Sequence, residues 1–479
     1  MTRSRPWALL LLLASPAVAA DPNAPLSRIA VGSCADQNKP CPVWGTIADQ
    51  KPDALILLGD NMYADLDDGK LKAASPEKIA ACYKQLAGVP EWQRLRAAVP
   101  TILPMWDDHD YGHNDAGVEW QHKDAAQKLF LDFFNVPADS LRRTRKGVYH
   151  SETFGPPGKR TQVILLDTRY HRSPLVTGGP ATIQPYGLIR KPYLRTTDAG
   201  ATFLGDKQWQ WLEDRLRDPA DLRLICSGIQ VVSDEHPFEK WGNIPAERDR
   251  LFRLIRSTGA SGVVILSGDR HLGELSLEPS AAGYPIYDLT ASGLNQGFKG
   301  WRLPEANRLR VAGMPYGDHF GLVTVDWNAP DPVVSLQLRD TAGEVVLKHN
   351  VPLSVLKPRA GAAADATPPP PPPPGAGAIG PLEAVGKVGQ TITVQFPVRA
   401  GRTFPGKRVL LNSEKDFRSK DNFTVVLNAR GMTGKFEGAT YEKTFQGKTV
   451  RATGTVTVYQ GASQIQIDDA AKIEIVDEK

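Results

Sequence analysis

The chain has 479 residues, enough for two or three domains, and a formal net charge of only +4. A charged fraction of 23% beside 41% apolar residues excludes a disordered chain. So small a net charge also excludes a whole-protein field that would gather a polyanion or a membrane surface. Residues 1–20 read as a signal peptide, with basic "MTRSRP", apolar "WALLLLLASPAV" and small "AVAA" predicting cleavage near Ala19 or Ala20. The apolar run is shorter than the roughly 20 residues that a membrane span needs, and no later stretch is long enough. A soluble, exported protein, periplasmic or secreted and with no membrane span, is expected.

Residues 21–356 then alternate short apolar runs with helical patterns. "SRIAVGSC" and "ALILLGD" predict strands, and "PEKIAACYKQLAGVPEWQRLRAAV" and "EWQHKDAAQKLFLDFF" carry helical spacing. "TQVILLD", "LRLICSGIQVV" and "GVVILSGD" predict further strands, with amphipathic "LGDKQWQWLEDRLRD" and "PAERDRLFRLIRSTG" between them. Strand follows strand from "YPIYDLTASGL" to "EVVLKHN". The pattern is α/β, and a pair of mixed sheets flanked by helices fits it. Residues 357–380, with seven consecutive prolines between Ala- and Gly-rich flanks, read as a linker. Residues 381–479 hold five or six short strands with turn signals, which predicts a small barrel or sandwich.

Chemistry collects where strands end. "IAVGSC" delivers Cys34, and "ALILLGD" delivers Asp60 with Asn61 and Tyr63 following. "TILPMW" delivers Asp107, Asp108, His109 and Asp110. "QVILLD" delivers Asp167, then Arg169 and Arg172, and "VVILSGD" delivers Asp269 and His271. In α/β sheets, ligands gather outside the carboxyl ends of strands. One aspartate at a strand end is an ordinary helix cap. Capping does not account for Asp60, Asp108–His109, Asp269–His271 and Cys34 together, and a metal site does. Oxygen donors suit hard ions, whereas imidazole and thiolate suit transition metals. The mixture points to two unlike metals sharing a carboxylate. Such a pair can hold a phosphate, activate a water as hydroxide and stabilise the leaving oxygen.

"GDNMYAD", "WDDHDYGHND", "LLDTRYHR" and "LSGDRHLGELS" resemble the PhoD-type alkaline phosphatases of the metallophosphatase (calcineurin-like) superfamily, from "VGSC" to about "LRDTAGE". The resemblance implies a four-layer α/β/β/α sandwich with a dinuclear centre between its sheets. It implies phosphomonoesterase and phosphodiesterase activity with Fe3+ and one or two Ca2+ ions, other divalent metals being alternatives. Carried over residue by residue, it makes Asp60 the bridging aspartate and Tyr63 a tyrosinate ligand of iron. Cys34 and His271 complete the iron side, and Asp108, Asn114 and Asp269 face calcium. His109 becomes the catalytic histidine, and Arg169 the candidate contact to phosphate oxygens. Many superfamily members carry another histidine ligand where this chain offers Gln230, with His236 further along.

Competing readings stand beside these. Cys34 could pair with Cys41, and Cys41 with Cys82, in an oxidising compartment. Tyr63 could be a core residue, and Asp65, Asp67 and Asp68 an ordinary loop. His113 and His122 fit a solvated or structural role, and Trp209 and Trp211 fit helix packing. The C-terminal region weakly resembles an OB-fold, which implies a surface for polymer or nucleic acid, though it has no basic run. The functional alternative is a non-catalytic phosphate- or metal-binding protein whose C-terminal β domain docks a polymer or surface.

Overall fold

The computed structural model describes residues 21–358 and 378–476, apart from 181, 184–188, 301–304, 315, 386, 388–389, 405–407, 417–418, 420, 430 and 460–461. The expected signal peptide and residues 359–377 of the expected linker lie outside the described residues. The chain divides into two compact units, Met1–Ala364 and Asp365–Lys479.

The two large sheets of the first unit use thirteen of its described strands. In chain order these are β1 Arg28–Gly32, β2 Ala54–Leu58, β3 Thr101–Met105, β4 His150–Phe154, β5 Thr161–Leu165, β6 Leu222–Ser227 and β7 Val263–Ser267. They continue with β8 Gly273–Glu278, β9 Ile286–Ala291, β10 Arg310–Met314, β11 His319–Asp326, β12 Val333–Asp340 and β13 Val345–Pro352. One sheet has the order β13-β12-β11-β1-β2-β3, the other β10-β8-β9-β7-β6-β5-β4. Strands β1, β2 and β3 run parallel, as do β5, β6, β7 and β9. Each sheet is completed by antiparallel strands.

Alternation along the strands sorts the core into layers. Ile29, Val31, Ile56 and Leu58 join the cluster shared with the second sheet. Ala30, Leu55 and Leu57 point the other way, into a cluster with α1 Val43–Asp49, α2 Pro76–Ala87, α3 Pro90–Ala98 and α5 Lys123–Phe133. A short α4, Asp108–Tyr111, lies between α3 and α5 in the chain. The far side of the second sheet is covered by α6 Gly205–Arg217, through Trp209, Leu212 and Leu216, and by α7 Pro245–Ser257, through Leu251, Phe252 and Ile255. The result is the expected four-layer α/β/β/α sandwich. Burying roughly 1.5–3 kcal/mol per large apolar side chain, these layers fix the strand ends to which the polar residues are attached.

Two local features depart from the sequence reading. The long pattern from Pro76 to Val99 is two helices, because Pro90 forces Val89 into an extended conformation (φ −73°, ψ 120°) that ends the first. Strands β4, β8 and β10 were not foreseen; β4 and β10 lie at sheet edges, with short and partly exposed sequences.

The second unit is all-β around its own core of Phe396, Leu411, Phe423, Val425, Val450 and Ile465. Its strands are β14 Thr391–Pro397, β15 Ala400–Phe404, β16 Arg408–Asn412, β17 Phe423–Asn428, β18 Thr449–Tyr459, β19 Ala462–Ile467 and β20 Ile473–Val476. They pair in the order β14-β18-β19-β17-β16-β15, with β20 also on β18. Among the described residues no ladder joins β14 to β15. No described helix of either unit is long and apolar enough to cross a membrane.

Candidate metal centre

The polar residues singled out at the strand ends do meet. Three groups of donor atoms lie within 4.8 Å of one another: Cys34, Asp60 and His271; Asp60, Asp108 and His109; Asp107, Asp108 and Asp269. Asp60 belongs to the first two groups and Asp108 to the last two, so the clusters form one continuous site.

Backbone conformation aims several of these side chains. Cys34 (φ 65°), Asp60 (φ 52°), Asp269 (φ 67°) and His271 (φ 56°) all occupy the left-handed region, where each strand turns sharply as it leaves its sheet. Gly59 (φ 98°) precedes Asp60, and a Cβ there would run into the Asp107 side chain and backbone. The turn therefore needs glycine.

On the first side, the Cys34 thiol donates to Asp60 Oδ2 at 3.3 Å and lies 3.1 Å from Ser292 Oγ. Ser292 also accepts from the His271 backbone N–H at 2.8 Å, which ties two ligand-bearing turns together. Tyr63 Oη is 3.0 Å from His271 Nε2. Burial pushes Cys34 up to about 11 and Tyr63 well above its ordinary value. Burial, helped by His109 and Arg270, pushes His271 down to about 3, so its imidazole is neutral and has a lone pair to give. Cys41, Cys82 and Cys226 are buried and unbridged, as is Cys34, so neither Cys34–Cys41 nor Cys41–Cys82 forms a disulfide here.

The second side is carboxylate-rich. Burial, with the neighbouring acids Asp107 and Asp108, holds Asp60 and Asp269 well above the usual carboxylate range. Burial also pushes Asp107 up, to about 7, against the pull of Arg169. Asp107 Oδ2 and Asp108 Oδ1 are buried with no hydrogen-bond partner. Orphaned carboxylate oxygens crowded beside other acids are what a cation would relieve. The donors thus fit two ions, one among thiol, phenol and imidazole and one among oxygens.

His109 stands between the two sides. Its Nδ1–H donates to Asp65 Oδ1 at 2.6 Å, and its ring lies 4.0 Å from that of Tyr63. Burial alone would lower its pKa, but Asp108, Asp65 and Asp60 outweigh burial and hold the imidazole well above its ordinary value. Asp65 is a residue that the sequence reading set aside as loop. Its signal was position, two residues after Tyr63. Ser292, just after β9, was likewise missed, and Asp107 was singled out at its strand end but given no role.

Arg169, the expected phosphate contact, is fully buried, and its Nη2 has no hydrogen-bond partner. Its Nε–H donates to Asp107 Oδ1 at 2.5 Å and its Nη1–H to Glu239 Oε2 at 2.6 Å, with Nη2 3.9 Å from Asp108 Oδ1. Arg172 lies 3.0 Å from Glu239 Oε1 on the same network. Arg169 thereby braces the Asp107–Asp108 turn, and Glu239 links it to Arg172. Asn114 lies half-buried in the turn after α4, where it makes no side-chain hydrogen bond among the described residues. The Gln230 amide is engaged by other partners, donating to Thr290 Oγ1 at 2.9 Å and Glu274 Oε1 at 3.2 Å. His236 is buried, and neither ring nitrogen has a hydrogen-bond partner.

The pattern that defines the PhoD-like phosphatases matches residues 29–276, just over half of the chain. The chain is 24% identical over 195 residues to alkaline phosphatase D of Bacillus subtilis (strain 168), across 36% of this chain and 31% of that protein. It thus spans about a third of the length of that curated relative. Among solved structures, one described as the structure of PhoD matches with a TM-score of 0.53 and 17% identity, covering 70% of each chain. Purple acid phosphatase PPD1 from yellow lupin (Lupinus luteus) seeds matches with a TM-score of 0.45 and 12% identity, over 69% of this chain and 54% of that one. At 17% identity the likeness to the PhoD structure shows the fold alone.

Proposed function

The chain belongs to the PhoD-like phosphatase family, and on that footing we propose that it is a metal-dependent phosphoric ester hydrolase of the alkaline phosphatase D kind, acting on phosphomonoesters, phosphodiesters or both. The observation that carries this reading is the position of Asp60. It is shared by two donor groups of different chemistry, with His109 packed against both. Cys34, Tyr63, His271 and Asp60 would hold Fe3+, and Asp60, Asp108, Asn114 and Asp269 would hold Ca2+, with Asp107 beside them. Bound there, the ions would supply charge neutralisation for the phosphoryl oxygens and acidify a water.

The protein's own groups have separate tasks. Asp65 fixes the His109 ring through Nδ1, which leaves Nε2 to give a proton to the leaving oxygen. The surrounding carboxylates keep that proton on the ring until it is needed. Arg169 and Glu239 hold Asp107 and Asp108 at fixed separation, which spares the reaction a reorganisation step. The leader-like N-terminus supports export to the periplasm or beyond. The C-terminal unit, read as OB-like, is assigned to docking a polymer or surface. A purely binding role for the whole protein would leave the His109–Asp65 pair without a task.

The test is an assay of metal-loaded protein on one simple monoester and one simple diester, with a visible spectrum. Turnover of at least one ester, together with an absorption band that Tyr63→Phe removes, is the expected result. Absent turnover with both ions bound would overturn the hydrolase reading, and a colourless iron-loaded protein would overturn the tyrosinate.

A further inference from the structure

The loop from Gly228 to Ile244 follows β6 at the carboxyl end of its sheet and carries Glu239, which braces the acidic turn. The same loop buries two donors that the centre described above does not use. His236 is 2% exposed and Lys240 3%. Neither His236 ring nitrogen has a partner. Among the described residues, Lys240 Nζ donates only to the Phe238 carbonyl, at 2.9 Å, and no carboxylate lies within ion-pair reach of it. A buried ammonium without a counter-ion is strongly disfavoured.

The neighbouring acids are already matched to arginines. Asp234 pairs with Arg195 at 2.8 Å and Arg308 at 3.0 Å. Glu305 pairs with Arg270, and Glu274 with Arg310. Lys240 and His236 are the surplus. Arg270 joins them to the centre: its guanidinium lies 3.8 Å from the Phe238 ring centroid, and its Nη1 lies 3.8 Å from Asp269 Oδ2. Burial, with Arg270 close by, lowers Lys240 to about 8 and His236 well below its ordinary value. Both shifts follow from burial first and from neighbouring cationic groups second, and they leave the His236 imidazole neutral.

The geometry points to a second anion site, formed by His236, Lys240 and Arg270 on the Asp269 side of the centre, which receives a further phosphoryl group of the substrate. This rests on the phosphoesterase reading and deepens it: the preferred substrates carry two phosphoryl groups, one hydrolysed and one held. An ammonium, an imidazole and a guanidinium together offer donors in several directions, as a tetrahedral oxyanion requires. Shielded from water by the loop, such charge-assisted bonds are at their strongest.

Alkanediol bisphosphates, from ethanediol to hexanediol, test the site against the matching monophosphates. In the metal-loaded native protein, kcat/KM for at least one bisphosphate is expected to exceed that of its monophosphate by about tenfold or more, the weight of one charged hydrogen bond. Lys240→Met and His236→Asn are expected to shrink that ratio toward unity, and Lys240→Arg to retain most of it. Because the ratio is internal to each variant, a general loss of folding or metal does not imitate the effect. Inorganic phosphate that cancels the advantage while sparing monophosphate turnover would support the site and show that free phosphate also enters it. A native protein that hydrolyses both classes without preference would overturn the inference, as would a preference that survives Lys240→Met. A native protein that hydrolyses neither would instead overturn the phosphoesterase reading beneath it.

Discussion

The two units of this chain treat buried polarity in opposite ways. Among the described residues of the second unit, the buried polar side chains are Asn412, Ser413, Asn422, Thr424, Ser463 and Gln464, every one neutral. The first unit buries Asp60, Asp65, Asp107, Asp108, Asp110, Arg169, Arg172, Glu239 and Lys240, among others. Both units are strand-rich and both have an apolar core, so folding alone does not call for such charge. Buried ions cost more in desolvation than their pairing commonly returns, whereas neutral amides and hydroxyls satisfy a sheet cheaply. The excess of charge in one unit therefore coincides with the proposed metal centre.

That contrast can be broken most severely at Asp60. Asp60→Asn is expected to lose metal and activity together, because a neutral amide cannot bridge two cations as a carboxylate does. Full occupancy of both ions by elemental analysis would refute the bridging role. Next comes His109→Ala, which should keep metals and fold while lowering turnover by roughly two to four powers of ten. Near-normal turnover of the purified variant would remove His109 from the mechanism.

Arg169→Met sharpens the comparison in terms of stability. It strands Asp107 as an unpaired buried acid and leaves Glu239 to Arg172 alone, and a loss of about 3–5 kcal/mol by denaturant unfolding is expected. A variant with native stability and only a raised KM would favour a phosphate contact over a bracing role for Arg169. The smallest effect is expected from ending the chain after Lys357. The shortened protein should hydrolyse small esters at close to the full-length rate, since every donor in the cluster precedes that point. A folded but inactive product would place part of the site in the second unit.

The layers and most of the donors were legible because one rule covers them: an apolar run of strand length that ends in a polar residue puts that residue outside the sheet. Cys34, Asp60, Asp108, Asp269 and His271 all obey it, and Ser292, after β9, was open to the same reading. The carboxylate pairing of Arg169 was not legible, because a guanidinium in a polar turn suits phosphate or carboxylate equally. Its deciding partner, Glu239, lies 70 residues away in the chain. Asp65 could not be told from Asp67 and Asp68 by composition, since only the turn after Tyr63 aims it at His109. The break between α2 and α3, by contrast, was written in Val89–Pro90.

The left-handed turns at Cys34, Asp60, Asp269 and His271 carry a consequence for protein engineering. Non-glycine residues held in that region cost about 1–3 kcal/mol each, so glycine at any of them would relax the backbone. A search for hardier variants guided by melting temperature alone would be drawn to these four positions. Each gain would remove a donor, and with it the stabilisation that a bound ion lends the folded state by mass action. Thermostability screens of this protein are therefore best run with the ions present and activity as the second criterion, because the backbone and the chemistry favour opposite residues at the same sites.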